Sequence, residues 1–273
     1  MAIIAISRQV AALGDEISKT LSEKLGYRFV NRKELEKRIV DLGFSPEKLK
    51  KYDERKPGFF ASLVKDRDEY LNYLQTAVLD TAAEGNCILL GRGSFLILEN
   101  LPNLIPLRFV AKDSVRMERL MKEHGWNEKQ ALQLITESDN NRKGFHKSFF
   151  NAEIENPQQF LMVMNTGMFD VETASDVIVS LAKSVVTPEK ELAGKAKLQE
   201  LINCQHLVNK LIFEYKLNIE FLRAVINGNT LTLQGVADSS VLVERAIKIS
   251  AVELPGYNIT SSISVVQDFK THF

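Results

Sequence analysis

The chain has 273 residues, 45% of them hydrophobic and 26% charged, ordinary proportions for a globular protein of a length that accommodates two domains. Its 35 Lys and Arg balance its 35 Asp and Glu, so no global charge steers it to nucleic acid or to an acidic membrane; only a local basic patch would. Cys87 and Cys204 are too far apart for a disulfide framework or a metal-ligand spacing, no apolar run approaches the ~20 residues of a membrane span, and the short N-terminal apolar run lacks the basic start of a signal peptide. Buried reduced thiols and a cytoplasmic protein are expected.

Residues 2–7 are a short apolar run that reads as a buried strand. A helical pattern follows, with Ile17, Leu21 and Leu25 on one face and Gly26 placed to end it. Residues 27–30 read as a second strand, which completes a β–loop–helix–β unit. Residues 33–56 are charged and helix-rich, with turn signals at Gly43, Pro46 and Pro57-Gly58. A helix over 68–83 aligns Leu71, Leu74, Val78 and Ala82. The apolar run Cys87-Ile88-Leu89-Leu90 suits a central parallel strand covered on both faces, and Gly91-Arg92-Gly93 follows it directly. Next come a helix over 94–100, a strand over 104–111, a helix over 114–123 and another over 126–138 capped by Asn127. Residues 139–150 are polar, basic and aromatic. A strand over 160–163 runs on to Asn165-Thr166-Gly167, and a helix over 170–182 follows.

Strands alternating with helices predict a doubly wound α/β domain on a parallel sheet, with its strand ends gathered at one edge where ligands bind. Ser7-Arg8, Gly91-Arg92-Gly93 and Asn165-Thr166-Gly167 all fall at such ends. Thr187-Pro188-Glu189-Lys190 reads as a linker. Beyond it lie a leucine-rich helix (Leu198, Leu201, Ile202, Val208), a hairpin of 219–225 with 230–236 across Asn227-Gly228-Asn229, an amphipathic helix over 239–254 and a strand over 259–266. That order gives a small, separate α+β module. The expected division is 1–186, a linker over 187–195, and 196–273.

The loop after the first strand, Ser7-Arg8-Gln9-Val10-Ala11-Ala12-Leu13-Gly14-Asp15-Glu16, lies where helix N–H groups would meet a phosphate. A Walker A loop, Gly-x-x-x-x-Gly-Lys-Ser/Thr, is matched only at Gly14. Asp15 and Glu16 suit a helix N-terminus but repel phosphate. Arg92, between two glycines, is placed to fork onto a phosphate or a base. Arg116 and Arg119 share a helix. Arg142, Lys143, His146 and Lys147 form a basic cluster with Phe145, Phe149 and Phe150 interleaved, which taken alone reads as a solvated helix end.

In order, Ile-Ser-Arg-Gln, Leu-Gly-Asp-Glu-Ile, Glu-Gly-Asn-Cys-Ile-Leu-Leu-Gly-Arg-Gly, Arg116-x-x-Arg119, Glu137-Ser138-Asp139-Asn140-Asn141-Arg142 and Met164-Asn165-Thr166-Gly167 resemble the cytidylate kinase-like P-loop family over about residues 1–184. The resemblance implies a sheet of the nucleoside monophosphate kinase type. It implies donor phosphates over Ser7, Arg8, Gly14, Asp15 and Glu16, an acceptor nucleotide at Arg92, and lid-side clamping of the transferring phosphate by Arg116, Arg119 and Arg142. Asp139 would orient Arg142 or the acceptor base. Such chemistry rests on positioning and charge neutralisation, with ATP and Mg²⁺ as cofactors if the protein is active and none otherwise. Where family members have Gly-Ser-Gly-Gly this chain has Ala11-Ala12-Leu13-Gly14, Asp15 stands where they often carry a basic residue, and Leu90 replaces an aspartate that would hold Mg²⁺ through water. Residues 196–268, with Asn227-Gly228-Asn229-Thr230-Leu231-Thr232-Leu233-Gln234-Gly235 and Leu254-Pro255-Gly256-Tyr257, resemble a BON domain, which implies binding to lipid surfaces or partner proteins; docking to a protein partner or self-association is the expectation for this chain. Three readings stay open: phosphorylation of a nucleoside monophosphate or similar small acceptor, an inactive nucleotide sensor that signals through the BON-like module, and a scaffold or oligomer. Residues 54–60 are a candidate acceptor-side loop, though their Pro57-Gly58 reads first as a plain turn.

Overall fold

The computed structural model describes residues 2–52 and 64–266; the candidate loop of residues 54–60 lies outside them. Five strands, β1 (Ile3–Arg8), β2 (Arg28–Val30), β3 (Cys87–Leu90), β4 (Leu104–Val110) and β5 (Met162–Asn165), pair in the order β2-β3-β1-β4-β5, every pair parallel. The helices are α1 (Gly14–Leu25), α2 (Arg32–Asp41), α3 (Pro46–Leu49), α4 (Val64–Ala83), α5 (Ser94–Ile97), α6 (Asp113–His124), α7 (Glu128–Phe150), α8 (Val171–Val185), α9 (Pro188–Asn209) and α10 (Ser240–Glu253). The expected doubly wound α/β architecture is present.

Strand β1 shows why. Successive strand side chains leave opposite faces, and both faces here are covered, so Ile3-Ile4-Ala5-Ile6 is apolar throughout. Ile3 joins a core with Leu35, Leu74, Phe145 and Leu198. Ile4 and Ile6 join a second core with Ile17 and Leu21 of α1 and Ile178 of α8. Each such buried aliphatic side chain contributes ~1.5–3 kcal/mol. The helix ends follow local chemistry. Gly26 takes the left-handed conformation, φ 66°, that ends α1, and capping boxes of Asn31 with Glu34 and of Asn127 with Gln130 start α2 and α7. Both thiols are buried. Burial, then Glu84, pushes Cys87 up to about 12.

Three expectations are corrected. Residues 139–150 are not a solvated helix end: they continue α7, with Arg142, Phe145, His146 and Phe149 buried. The fifth strand begins at Met162 because Asn156-Pro157 cap a tight turn just before it. Thr187-Pro188-Glu189-Lys190 is no linker. The Thr187 hydroxyl accepts the Lys190 N–H, and Pro188 starts α9, a good first helical residue because its missing N–H would have no partner there.

A second sheet holds β6 (Ile219–Asn227), β7 (Thr230–Ala237) and β8 (Asn258–Val265). Strands β6 and β7 are antiparallel across a turn with Gly228 at φ 57°, and β8 lies parallel to β7. The core of this part joins Leu222, Leu231 and Leu233 to Cys204, Leu207 and Val208 of α9 and Ala246 of α10. The module is therefore not detached. One helix, α9, places Leu198 and Ile202 in the first domain's core and its C-terminal half in the second. Gly194 lets α9 run against Asn103, where a Cβ would collide. No helix among the described residues is long and apolar enough to cross a membrane.

Candidate functional site

The C-terminal ends of β1, β3, β4 and β5 converge as the strand alternation requires. Between β1 and α1 the backbone turns through Ala11 and Leu13, both left-handed with φ 56°. These are the first and third positions of the quartet Ala11-Ala12-Leu13-Gly14, where glycine adopts such angles freely and other residues are disfavoured. The conformation persists although both residues carry a Cβ. What holds it is below the loop. Arg119 of α6 donates Nη1 to the Ala11 carbonyl at 2.9 Å and Nη2 to the Thr166 carbonyl at 2.7 Å. The Thr166 hydroxyl donates to the Ala12 carbonyl at 3.1 Å. Gln9 accepts the Ala111 N–H at 3.1 Å.

Arg8 lies across the loop. A Cβ on Gly14 would fall 2.7 Å from its Cγ, and one on Gly91 would fall 2.6 Å from its Nη1. Those two glycines make the channel that its side chain occupies. Outside the loop is a cavity of about 390 Å³ between α1, α6 and α7, within the size range of small-molecule pockets. Arg8, His124 and Arg142 line it, and so do the acidic residues Asp15, Glu16, Glu123 and Glu137. Four negative groups against two guanidiniums is a poor electrostatic match to a polyphosphate.

Arg116, Arg119 and Arg92 bond to other parts of the protein. Arg116 is 2% exposed; it binds Asp139 through Nη1 at 3.2 Å and Nη2 at 3.0 Å, and Asp113 at 2.5 Å. Burial alone would lower its pKa, but the bonds to Asp139 and Asp113 outweigh that and raise it. Asp139 thus orients Arg116 and ties α6 to α7. Burial lowers the Arg119 pKa despite the nearby Glu16. Arg142 donates to the Ser138 hydroxyl. Arg92 is 1% exposed and points away from the loop cavity. It donates to the Tyr52 carbonyl at 2.8 Å, pairs with Glu36, and lies 5.6 Å from the Phe145 ring centroid. Tyr52 stacks on Tyr70 with ring centroids 4.5 Å apart. This aromatic wall comes from α4 and α7 and from the short turn that carries Tyr52.

Of the residues singled out in the sequence, Arg8, Gly14, Asp15, Glu16 and Arg142 share one cavity. Ser7 is buried and turns inward, and Arg116, Arg119 and Asp139 brace the walls. Arg92 stands in a separate cluster. Glu123, Glu137 and Thr166 were not identified as site residues. Neither was Arg108, a lone charge inside the apolar run Leu-Ile-Pro-Leu-Arg-Phe-Val, and that isolation was the readable signal.

The model of the cytidylate kinase-like family matches residues 3–168. A cytidylate kinase of Methanocaldococcus jannaschii is 26% identical over 168 residues, 60% of this chain and 88% of that protein. An uncharacterized protein from Eubacterium ventriosum has a similar fold, with a TM-score of 0.53 and 22% identity over 67% of this chain and 98% of that one. A shikimate kinase from Bacteroides thetaiotaomicron aligns with a TM-score of 0.42 and 16% identity over 67% of this chain and 98% of that one.

Proposed function

The chain belongs to the cytidylate kinase-like family, and from that premise we propose that this kinase-like nucleotide-binding protein holds a nucleotide at the loop cavity without transferring its phosphate. The observation that carries this reading is how the site's charges are used. Arg116 and Arg119 are committed to Asp139, Asp113 and loop carbonyls, while Asp15, Glu16, Glu123 and Glu137 face the cavity. Phosphoryl transfer needs cations that neutralise the transferring group. Related kinases use ATP and Mg²⁺, which would supply that group and part of its charge neutralisation. The residues present do not fit that pair: Asp15 and Glu16 follow Gly14 where a Walker A motif has Lys and Ser/Thr, and β3 ends in Leu90. Binding itself is supported by the N-terminus of α1, which opens onto the cavity, and by Arg8 and Arg142 in its wall. Residues 196–273 are read as a BON-like module that carries the signal to a protein partner.

The test is titration calorimetry of the full chain with CMP, CDP and ATP, with and without Mg²⁺, alongside a phosphoryl-transfer assay. Saturable binding of at least one nucleotide is expected, weakened roughly tenfold or more by Arg142→Ala, with no turnover. Steady turnover lost in Arg142→Ala would replace this reading by the phosphotransferase one, which rests on Arg8 and Arg142 facing the same cavity.

A further inference from the structure

Arg108 sits in the interior of β4, opposite Ser7 of β1 and Val163 of β5. It is 6% exposed. Its hydrogen bond is to a neutral group, Nη1 to the Ser7 hydroxyl at 3.0 Å, and its other close neighbour is the Phe160 ring, 5.9 Å from Cζ. No carboxylate among the described residues comes within ion-pair distance of it. Burying a charge without a counter-charge is expensive, and a leucine or methionine in the middle of a parallel strand would avoid the cost. Burial pulls its pKa below the ordinary arginine value, against the more distant Glu155 and Asp139.

Its surroundings show where a counter-charge would enter. A cavity of about 10 Å³ lies against Arg108, walled by Gln9, Asp139, Arg142, Lys143 and Glu155. The two carboxylates there are already engaged, Asp139 by Arg116 at 3.0 Å and Glu155 by Lys143 at 3.0 Å. Such a hole admits one water-sized atom. Gln9 and Arg142 also line the large loop cavity, so the small hole adjoins the large one across these two side chains. An anion seated at Arg142 has room to send one oxygen towards Arg108.

We propose that Arg108 and Arg142 together form a phosphate-binding subsite on the α7 side of the loop, with Gln9 between them and one phosphoryl oxygen lodged against Arg108. The phosphate is either inorganic or the monoester group of a nucleotide. The subsite deepens the nucleotide-binding reading: it puts the recognised charge on the α7 side of the loop, away from the exposed Asp15 and Glu16, and makes Arg108 the residue that selects phosphorylated over unphosphorylated ligands.

The experiment uses the full chain. Binding of sodium phosphate, CMP and cytidine is measured by calorimetry, and the thermal midpoint is followed in phosphate and in NaCl of equal ionic strength. Wild type is expected to bind phosphate or CMP saturably, to ignore cytidine, and to rise in midpoint beyond the NaCl control. Arg108→Met is expected to weaken that binding roughly tenfold to a hundredfold, the consequence of losing a charge-assisted hydrogen bond. Its midpoint without phosphate is expected to equal or exceed wild type, because an uncompensated buried charge has gone. If Arg108→Met does not fold, Arg108→Lys serves: it keeps the charge but not the planar fork, and it must bind several-fold more weakly. Unchanged phosphate or CMP affinity in the substituted protein, or a wild type that responds to phosphate only as to NaCl, overturns the subsite. Nucleotide binding indifferent to Arg108 sinks the subsite and leaves the proposed function standing. Arg108-dependent binding of phosphate without affinity for any nucleotide does the reverse.

Discussion

At Ala11 a single methyl group sits in a backbone conformation that favours glycine. Its φ of 56° costs an L-residue roughly 1–2 kcal/mol, and the bond from Arg119 to its carbonyl helps to hold the angle. Ala11→Gly removes the steric cost and keeps that bond, because only the side chain changes. Against the gain stands the extra freedom of glycine in the unfolded chain, about 0.4–1 kcal/mol. The expected net result is a protein as stable as wild type or more stable by up to about 1 kcal/mol, measured by urea unfolding. A clear loss of stability would mean that the Ala11 methyl contributes more to packing on the cluster of Leu120, Ala131 and Ile135 than its backbone strain costs. Leu13, at the same φ, also packs against the second core, so the same exchange there mixes two effects and is the poorer test.

At the scale of elements, polar side chains join α9 to α4. Gln205 donates to Asn72 at 3.2 Å and to Asn209 at 3.0 Å, and Asn209 donates to the Thr76 hydroxyl at 2.8 Å. Asn72, Thr76 and Gln205 are buried, so this contact is worth more intact than broken: a buried acceptor left without its donor costs ~1–3 kcal/mol. Gln205→Ala should destabilise by about that amount, read from the shift of the urea midpoint. A shift near zero would mean that water replaces the amide. The elements themselves were largely legible. Apolar periodicity and Gly26, Asn31 and Asn127 located their cores and several ends, because those signals are local. The second half of α7 was not legible, since its inward face carries Arg142 and His146 among Phe145 and Phe149 and a charged residue on a buried face breaks the pattern that marks a helix. The same limit applied at the site. The loop residues were readable from order and spacing, whereas the inward turn of Arg92 and the bracing role of Arg119 depend on partners distant in sequence, Glu36 and Thr166.

At the scale of the whole molecule the question is whether two cores make two independent units. The domain division expected from sequence put a linker before residue 196. The helix that replaces it ties the parts together: Leu198 and Ile202 belong to one core, and Cys204, Leu207 and Val208 to the other. Unfolding either core alone would strip one half of α9 of its apolar cover, and would break the Gln205–Asn72 and Asn209–Thr76 bonds as well. A second connection runs beside it, where the backbone N–H of Phe221 in β6 donates to Asp68 of α4 at 3.4 Å. Burial, the main influence, raises the Asp68 pKa, while Arg67 opposes it. These shared contacts make partial unfolding costly, so differential scanning calorimetry should show one cooperative transition whose calorimetric and van't Hoff enthalpies agree. Gln205→Ala should lower that transition as a whole without splitting it. Two resolved transitions in the wild type would mean that α9 frays between Ile202 and Cys204 at little cost, and that the C-terminal part moves independently of the loop cavity. A single transition also bears on function: a ligand that stabilises the loop cavity then raises the unfolding temperature of the C-terminal sheet with it.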